Sequence, residues 1–116
     1  MLKITGIICE YNPLHLGHKK QLTLVREQIG AEGGIVCLMS GNFVQRGEPA
    51  LLRKHLRAAA AVDCGADLVL ELPTPWAAAT AEVFALGGVG LLTQTGVVTH
   101  LAFGSECGDV SLVQRA

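Results

Sequence analysis

Charged and aromatic residues are scarce in this chain. Charged residues make up 16% of its 116 residues and aromatic residues 4%, whereas 50% of the residues are apolar. Positive and negative side chains nearly balance, at a formal net charge of −1 at pH 7, and they are not gathered into a run. The sequence therefore lacks the basic patch or stripe by which proteins bind nucleic acid through bulk electrostatics. We expect one modest domain with an aliphatic core over residues 1–116.

Long apolar runs are also missing. No stretch approaches the roughly 20 uninterrupted apolar residues of a membrane span. The first residues combine a single Lys3 with a short strand-like segment, which is unlike the charged and apolar regions of a signal peptide. The sequence thus predicts a cytoplasmic protein.

No Cys-x-x-Cys pair occurs, and the cysteines are widely spaced, at Cys9, Cys37, Cys64 and Cys107. The first two lie inside apolar strand-like runs, where cysteine acts as a small apolar residue. We expect reduced thiols that form no disulfide, bind no metal ion and do not act as nucleophiles.

Apolar segments alternate with segments of helical pattern along the chain. The predicted strands cover residues 3–10, 34–39, 68–72 and 99–103. The predicted helices cover residues 16–28, 49–64 with Gly65 as C-cap, and 77–94 with Gly96 as C-cap. This alternation predicts a doubly wound, Rossmann-like α/β fold with a parallel sheet covered on both faces. Ligands of such folds bind beyond the carboxyl ends of the strands, at the point where the strand order reverses.

The last residues have a different pattern. Asp109 is a suitable N-cap for a final helix through Val110, Leu112 and Val113, but the sequence stops at Ala116 within its second turn. We therefore expect the chain to be the amino-terminal portion of a longer protein.

Two histidines stand where the first predicted strand gives way to the first predicted helix, in the run HLGH at residues 15–18. Unpaired N–H groups and the positive end of the helix dipole make a helix N-terminus an anion site, and the imidazoles add hydrogen-bond donors. Gly17 allows a phosphate or a base to approach the backbone closely. A chance pair of surface histidines and half of a zinc site are the alternatives. Zinc needs further ligands, and His55 and His100 lie far along the chain.

Four motifs carry a resemblance to a known family. In order, they are EYNPLHLGH at residues 10–18, MSGNFVQRGEP at 39–49, ADLVLELP at 66–73 and FGSE at 103–106. Together they resemble the bacterial tRNA(Met) cytidine acetate ligase family, within the HxGH nucleotidyltransferase superfamily, across nearly the whole chain. Most of these motifs follow the predicted strand ends, where the fold predicts a ligand crevice.

The resemblance implies an ATP-dependent ligase. Members activate acetate as acetyl-adenylate, with ATP as co-substrate and Mg²⁺ as its expected companion, and then acetylate N4 of the wobble cytidine of elongator tRNA(Met). It also implies a role in tRNA modification, with RNA bound through regions mostly absent from this chain. We therefore expect the chain alone to be unable to acetylate tRNA.

The resemblance further implies which residues act. His15 and His18 would bind the phosphates and stabilise charge as pyrophosphate leaves. The residues expected to contact ATP are Ile8, Cys9, Glu10, Tyr11, Asn12, Pro13, His15, Gly17, His18 and Gly104.

Other polar residues have two interpretations each. The glycine-flanked loop at residues 40–49 suits gripping a polar substrate or closing as a lid, but Arg46 and Glu48 could merely pair with each other. Arg57 could meet RNA phosphates or lie on a solvated helix face. Glu71 and Asp67 are interpreted as turn or cap residues rather than acid–base catalysts.

Two other functions share the histidine motif. A small-molecule adenylyltransferase would have the same fold but would not be expected to carry the QRGEP loop. A non-catalytic nucleotide-binding fragment would bind ATP without turning it over.

Overall fold

The computed structural model describes residues 2–11, 14, 16–41, 50, 53–73, 81–104 and 110–114. Its elements, in chain order, are β1 (Ile4–Cys9), α1 (Leu16–Ile29), β2 (Gly34–Ser40), α2 (Lys54–Asp63), β3 (Leu68–Leu72), α3 (Ala81–Gln94), β4 (His100–Gly104) and β5 (Val110–Gln114). In these described ranges, no helix has both the length and the apolar character needed to cross a membrane.

The strands form one five-stranded sheet in the order β3-β2-β1-β4-β5. The first four are parallel, and β5 pairs with β4 in the antiparallel sense. The chain winds outward from β1 to β3 and then returns to place β4 on the other side of β1. The strand order therefore reverses between β1 and β4, as in a Rossmann-like fold, and the predicted fold class is confirmed.

Helices cover both faces of the sheet. On one face, Leu22 and Val25 of α1 and Ala61 of α2 pack against Ile7 and Cys37. On the other face, Leu92 of α3 packs in a second cluster, whose other buried members are Val36, Leu38, Leu72 and Val98. Successive strand residues point to opposite faces, so strands covered on both sides are continuously apolar.

Two glycines bring α3 close to β1. A Cβ on Gly6 would lie 2.8 Å from Leu92 Cδ1, and a Cβ on Gly88 would lie 2.7 Å from Ile8 Cδ1. Real Cβ atoms do not approach other carbon atoms this closely, because packed atoms repel at such distances. The missing side chains therefore set the distance between this helix and the central strand.

The predicted element ends agree with the structure to within about a residue where turn signals mark them. Gly65 has φ +126° and Gly96 has φ +73°, the left-handed conformations that glycine tolerates after a helix. The second helix begins at Lys54, later than the predicted residue 49, and the described part of the third predicted helix is Ala81–Gln94. Residues 74–80 lie outside the described ones.

The final helix predicted from Asp109 is wrong. Asp109 itself lies outside the described residues, but Val110–Gln114 forms β5, with Leu112 opposite Ala102 of β4. Five residues are too few for a stable isolated helix, whereas the edge of β4 offers unpaired backbone groups to a strand. The unfinished helix therefore no longer supports the expectation that the chain is truncated.

Candidate nucleotide site

The turn after β1 is fixed by a buried tyrosine. Tyr11 is 2% exposed and is the one non-glycine residue with positive φ, +50°, in the described part of the chain. A residue with a side chain in this region costs about 1–3 kcal/mol, so surrounding contacts must hold it there. Its hydroxyl lies 3.7 Å from Cys37 Sγ in the core. Burial raises the pKa of Tyr11, which keeps the hydroxyl protonated.

His18 lies in the first turn of α1 and contacts this tyrosine. The two ring centroids are 5.0 Å apart and the ring planes are inclined by 58°. Aromatic pairs prefer tilted arrangements at such distances. The first turn of α1 contains no acidic residue, so its own side chains leave the positive end of the helix dipole uncompensated. The geometry suits an anion beside Gly17 and His18.

The end of β1 contributes apolar side chains to both faces. Ile8 packs with the cluster under α3, and Cys9 belongs to the cluster under α1 and α2. The Cys9 thiol donates to the Leu38 carbonyl oxygen at 3.7 Å, and burial raises the pKa of Cys9. A buried, protonated thiol is a poor nucleophile. The side chain of Cys9 therefore belongs to the core, whereas that of Ile8 is half-buried and packs against the core.

The predicted site residues that the structure describes lie at the carboxyl end of the parallel strands. Ile8 to Tyr11 end β1 and begin its turn, Gly17 and His18 begin α1, and Gly104 ends β4, the strand beside β1. They adjoin the point where the strand order reverses. Asn12, Pro13 and His15 lie outside the described residues, as do 42–49 of the glycine-flanked loop and 105–106 of the fourth motif.

A cavity of about 210 Å³ lies between α2 and the ends of β2 and β3. Its polar lining includes Ser40, Lys54, His55 and Glu71. Lys54 Nζ donates to Glu71 Oε1 at 2.8 Å, so Glu71 is engaged in an ion pair. Within the described ranges, no three His, Cys, Asp or Glu residues are grouped so as to hold a metal ion.

Sequence reasoning missed the role of Arg57. Neither of its two interpretations, an RNA contact or a solvated face, is correct, because the side chain is 1% exposed. The guanidinium instead donates to carbonyl oxygens of Glu10, Ser40 and Gly41. An arginine at the start of a helix is usually solvated, so only the tertiary structure reveals this burial.

Comparisons with known proteins agree with this geometry. The family described as HIGH Nucleotidyl Transferase matches residues 2–116. A tRNA(Met) cytidine acetate ligase of Clostridium perfringens is 52% identical over 114 residues, which are 98% of this chain and 28% of that relative. The ligase of the same name from Acetivibrio thermocellus is 50% identical over 109 residues, 94% of this chain and 26% of its own.

A solved structure is also similar. The crystal structure of Thermotoga maritima TmcAL bound with alpha-thio ATP superimposes with a TM-score of 0.85 at 48% identity, covering 93% of this chain and 26% of that one. The chain spans about a quarter of the length of the relatives it matches. The resemblance found in the four motifs is thus confirmed, and the chain belongs to the HIGH nucleotidyl transferase family.

Proposed function

We propose that this chain is the ATP-binding domain of an ATP-dependent ligase. The ligase activates acetate as acetyl-adenylate and then acetylates N4 of the wobble cytidine of elongator tRNA(Met). The similar ligases are named for tRNA(Met) and acetate, and the similar crystal structure holds alpha-thio ATP. The observation that carries the proposal is the contact of Tyr11 with His18, at a helix N-terminus beside the reversal of strand order.

The phosphates of ATP would lie at the start of α1. Backbone N–H groups there, Gly17 and His18 supply donors to an anion, and His15 would add a second imidazole. The backbone of Ile8, Cys9, Glu10 and Tyr11, continued by Asn12 and Pro13, would offer polar groups to the rest of the nucleotide. Gly104, at the end of the neighbouring β4, lacks a side chain that would keep adenine or ribose away from the backbone.

The chemistry needs no protein nucleophile. An acetate oxygen attacks the α-phosphorus, the bond from that phosphorus to the bridging oxygen breaks, and pyrophosphate leaves. His15 and His18 stabilise the negative charge that develops on the leaving group. The cytidine amine then attacks the acetyl carbon, AMP departs and the amine loses its proton. Mg²⁺ bound to the phosphates would neutralise further charge, because it prefers phosphate and carboxylate oxygens.

Two assays on the complete protein test this proposal. Acetate-dependent exchange of labelled pyrophosphate into ATP reports adenylation, and labelled acetate with ATP and elongator tRNA(Met) reports acetyl transfer. We expect exchange only with acetate present and N4-acetylcytidine in the digested tRNA. Transfer of AMP to a small molecule, without acetylated cytidine, would instead support a small-molecule adenylyltransferase. ATP binding without exchange would support a non-catalytic module.

A further inference from the structure

Arg57 joins the carboxyl ends of the neighbouring strands β1 and β2. Its Nη1 donates to the Glu10 carbonyl oxygen at 2.6 Å and approaches Ser40 Oγ at 3.4 Å. Its Nη2 donates to the carbonyl oxygens of Ser40, at 3.0 Å, and of Gly41. Glu10 follows β1, whereas Ser40 ends β2 and Gly41 follows it. One side chain thus binds both segments at the carboxyl ends of the strands, where ligands bind in such folds.

Burial makes this arrangement costly to form. A guanidinium removed from water loses hydration, and burial accordingly lowers the pKa of Arg57. The carbonyl oxygens offset that cost only if they stay at hydrogen-bonding distance, because an unpaired buried charge is strongly destabilising. The planar fork of arginine can bind two backbone segments at once, whereas lysine presents a single ammonium. The contact therefore fixes the spacing of the two strand ends.

The fixed segment leads directly to the proposed phosphate site. The Glu10 carbonyl belongs to the peptide group that joins Glu10 to Tyr11. The positive φ of Tyr11 is the rotation about the N–Cα bond that follows this peptide group. The Tyr11 ring then contacts His18 in the first turn of α1. A shift of the Glu10 carbonyl would tilt the peptide before Tyr11 and so displace the tyrosine ring and His18. Gly41, bound by the same guanidinium, begins the glycine-flanked loop.

We propose that Arg57 is a positioning residue for adenylation, acting through Glu10 and Tyr11 on His18. The proposal rests on the function proposed above, since it assigns His18 to the phosphates of ATP. The guanidinium is engaged by backbone carbonyl oxygens, so we assign Arg57 an indirect effect that depends on His18 being present. Small displacements of groups that stabilise charge reduce rates steeply, about 100-fold for 1 Å.

Arg26 provides a matched control at the amino ends of the strands. Its guanidinium also joins two segments, donating to the carbonyl oxygen of Gly33 at 2.5 Å and to Asp67 at 2.6 Å. Both segments precede strands at their amino ends, away from the proposed site. Arg57→Lys and Arg26→Lys should both lower the melting temperature, but only the former should impair adenylation.

The experiment measures kcat and the KM for ATP by pyrophosphate exchange in the complete protein. We expect Arg57→Lys to lower kcat/KM about 10- to 100-fold and Arg26→Lys to change it less than about twofold. In a His18→Ala background, Arg57→Lys should have little further effect, because residues that act as a unit are not additive.

Equal losses in the two lysine variants, or a full effect of Arg57→Lys without His18, would overturn the positioning role and leave the proposed function standing. Absence of ATP binding in the unaltered protein would overturn both. If circular dichroism shows Arg57→Lys to be unfolded, Arg57→Gln, which keeps a planar donor, takes its place. If both Arg57→Lys and Arg57→Gln fail to fold, the role of Arg57 is structural and the positioning role is overturned.

Discussion

The ring of Tyr11 lies against the ring of His18, with centroids 5.0 Å apart and planes inclined by 58°. Tyr11 is buried in the core and has an uncommon backbone conformation, whereas His18 begins a helix. The buried tyrosine ring therefore orients the His18 imidazole at the proposed phosphate site. Orientation of a donor in advance is what makes it useful for stabilising developing charge.

Replacement of His18 tests the phosphate site. His18→Ala should lower pyrophosphate exchange about 10- to 1000-fold, because a donor to the phosphates is lost. Its fold should remain intact by circular dichroism. His55→Ala is the matched control, since His55 is an exposed histidine on α2. Equal exchange and equal ATP affinity in His18→Ala and the unaltered protein would contradict this prediction.

Two replacements of Tyr11 separate its hydroxyl from its ring. Tyr11→Phe removes the hydroxyl and its contacts with the thiols of Cys37 and Cys9 but keeps the ring, so exchange should stay near that of the unaltered protein, at a stability cost of about 0.5–1.5 kcal/mol. Tyr11→Leu removes the aromatic contact with His18 and should lower exchange about tenfold. Urea unfolding and exchange, measured on both variants, check this. If Tyr11→Phe lost as much exchange as Tyr11→Leu, the hydroxyl rather than the ring would orient the site.

The fold could be predicted because its strongest signals are local. Parallel strands buried on both faces are continuous apolar runs, and β3, Leu68–Leu72, has the predicted bounds. Gly65 and Gly96 mark helix ends by a conformation that other residues avoid. The short β5 could not be predicted from its own residues, because it depends on pairing with β4.

The site could be predicted only in part. The placement of His18 follows from a strand, a turn and a helix that are adjacent in the sequence. The turn residues between them were evident, but nothing in the sequence indicated that Tyr11 would be the one with positive φ. The burial of Arg57 depends on carbonyl groups 47 and 17 residues away, at Glu10 and Ser40. Such distant contacts are set by the strand order and leave no periodic signal.

Ionisation of Asp67 should make the free energy of unfolding depend on pH in the acid range. Burial alone raises the pKa of Asp67, but hydrogen bonds from the Ile35 N–H and from Arg26 bring it below its ordinary value. A carboxyl whose pKa is lowered by folding stabilises the fold above its unfolded pKa, about 4, and loses that contribution as pH falls through its folded pKa. Asp67→Asn should therefore be less stable at pH 7 and show a flatter decline below about pH 4.

Urea unfolding of Asp67→Asn between pH 2 and pH 7 measures this effect on the free energy of unfolding. Asp63→Asn, at the exposed end of α2, is the control and should keep the steep decline of the unaltered protein. An Asp67→Asn curve parallel to that of the unaltered protein across the range would contradict the prediction.

Two glycines in α3 should respond to alanine in opposite directions. A Cβ at Gly88 would lie 2.7 Å from Ile8 Cδ1 and 2.9 Å from its Cγ1, so Gly88→Ala forces the helix away from β1. Overpacking of this kind costs about 1–3 kcal/mol. No atom of the described residues lies within 4 Å of a Cβ on Gly90, so Gly90→Ala should stabilise the protein by about 0.5–1 kcal/mol through helix propensity. Thermal unfolding of both variants decides the matter. Equal shifts in melting temperature would mean that helix propensity, and not the approach of α3 to Ile8, governs Gly88.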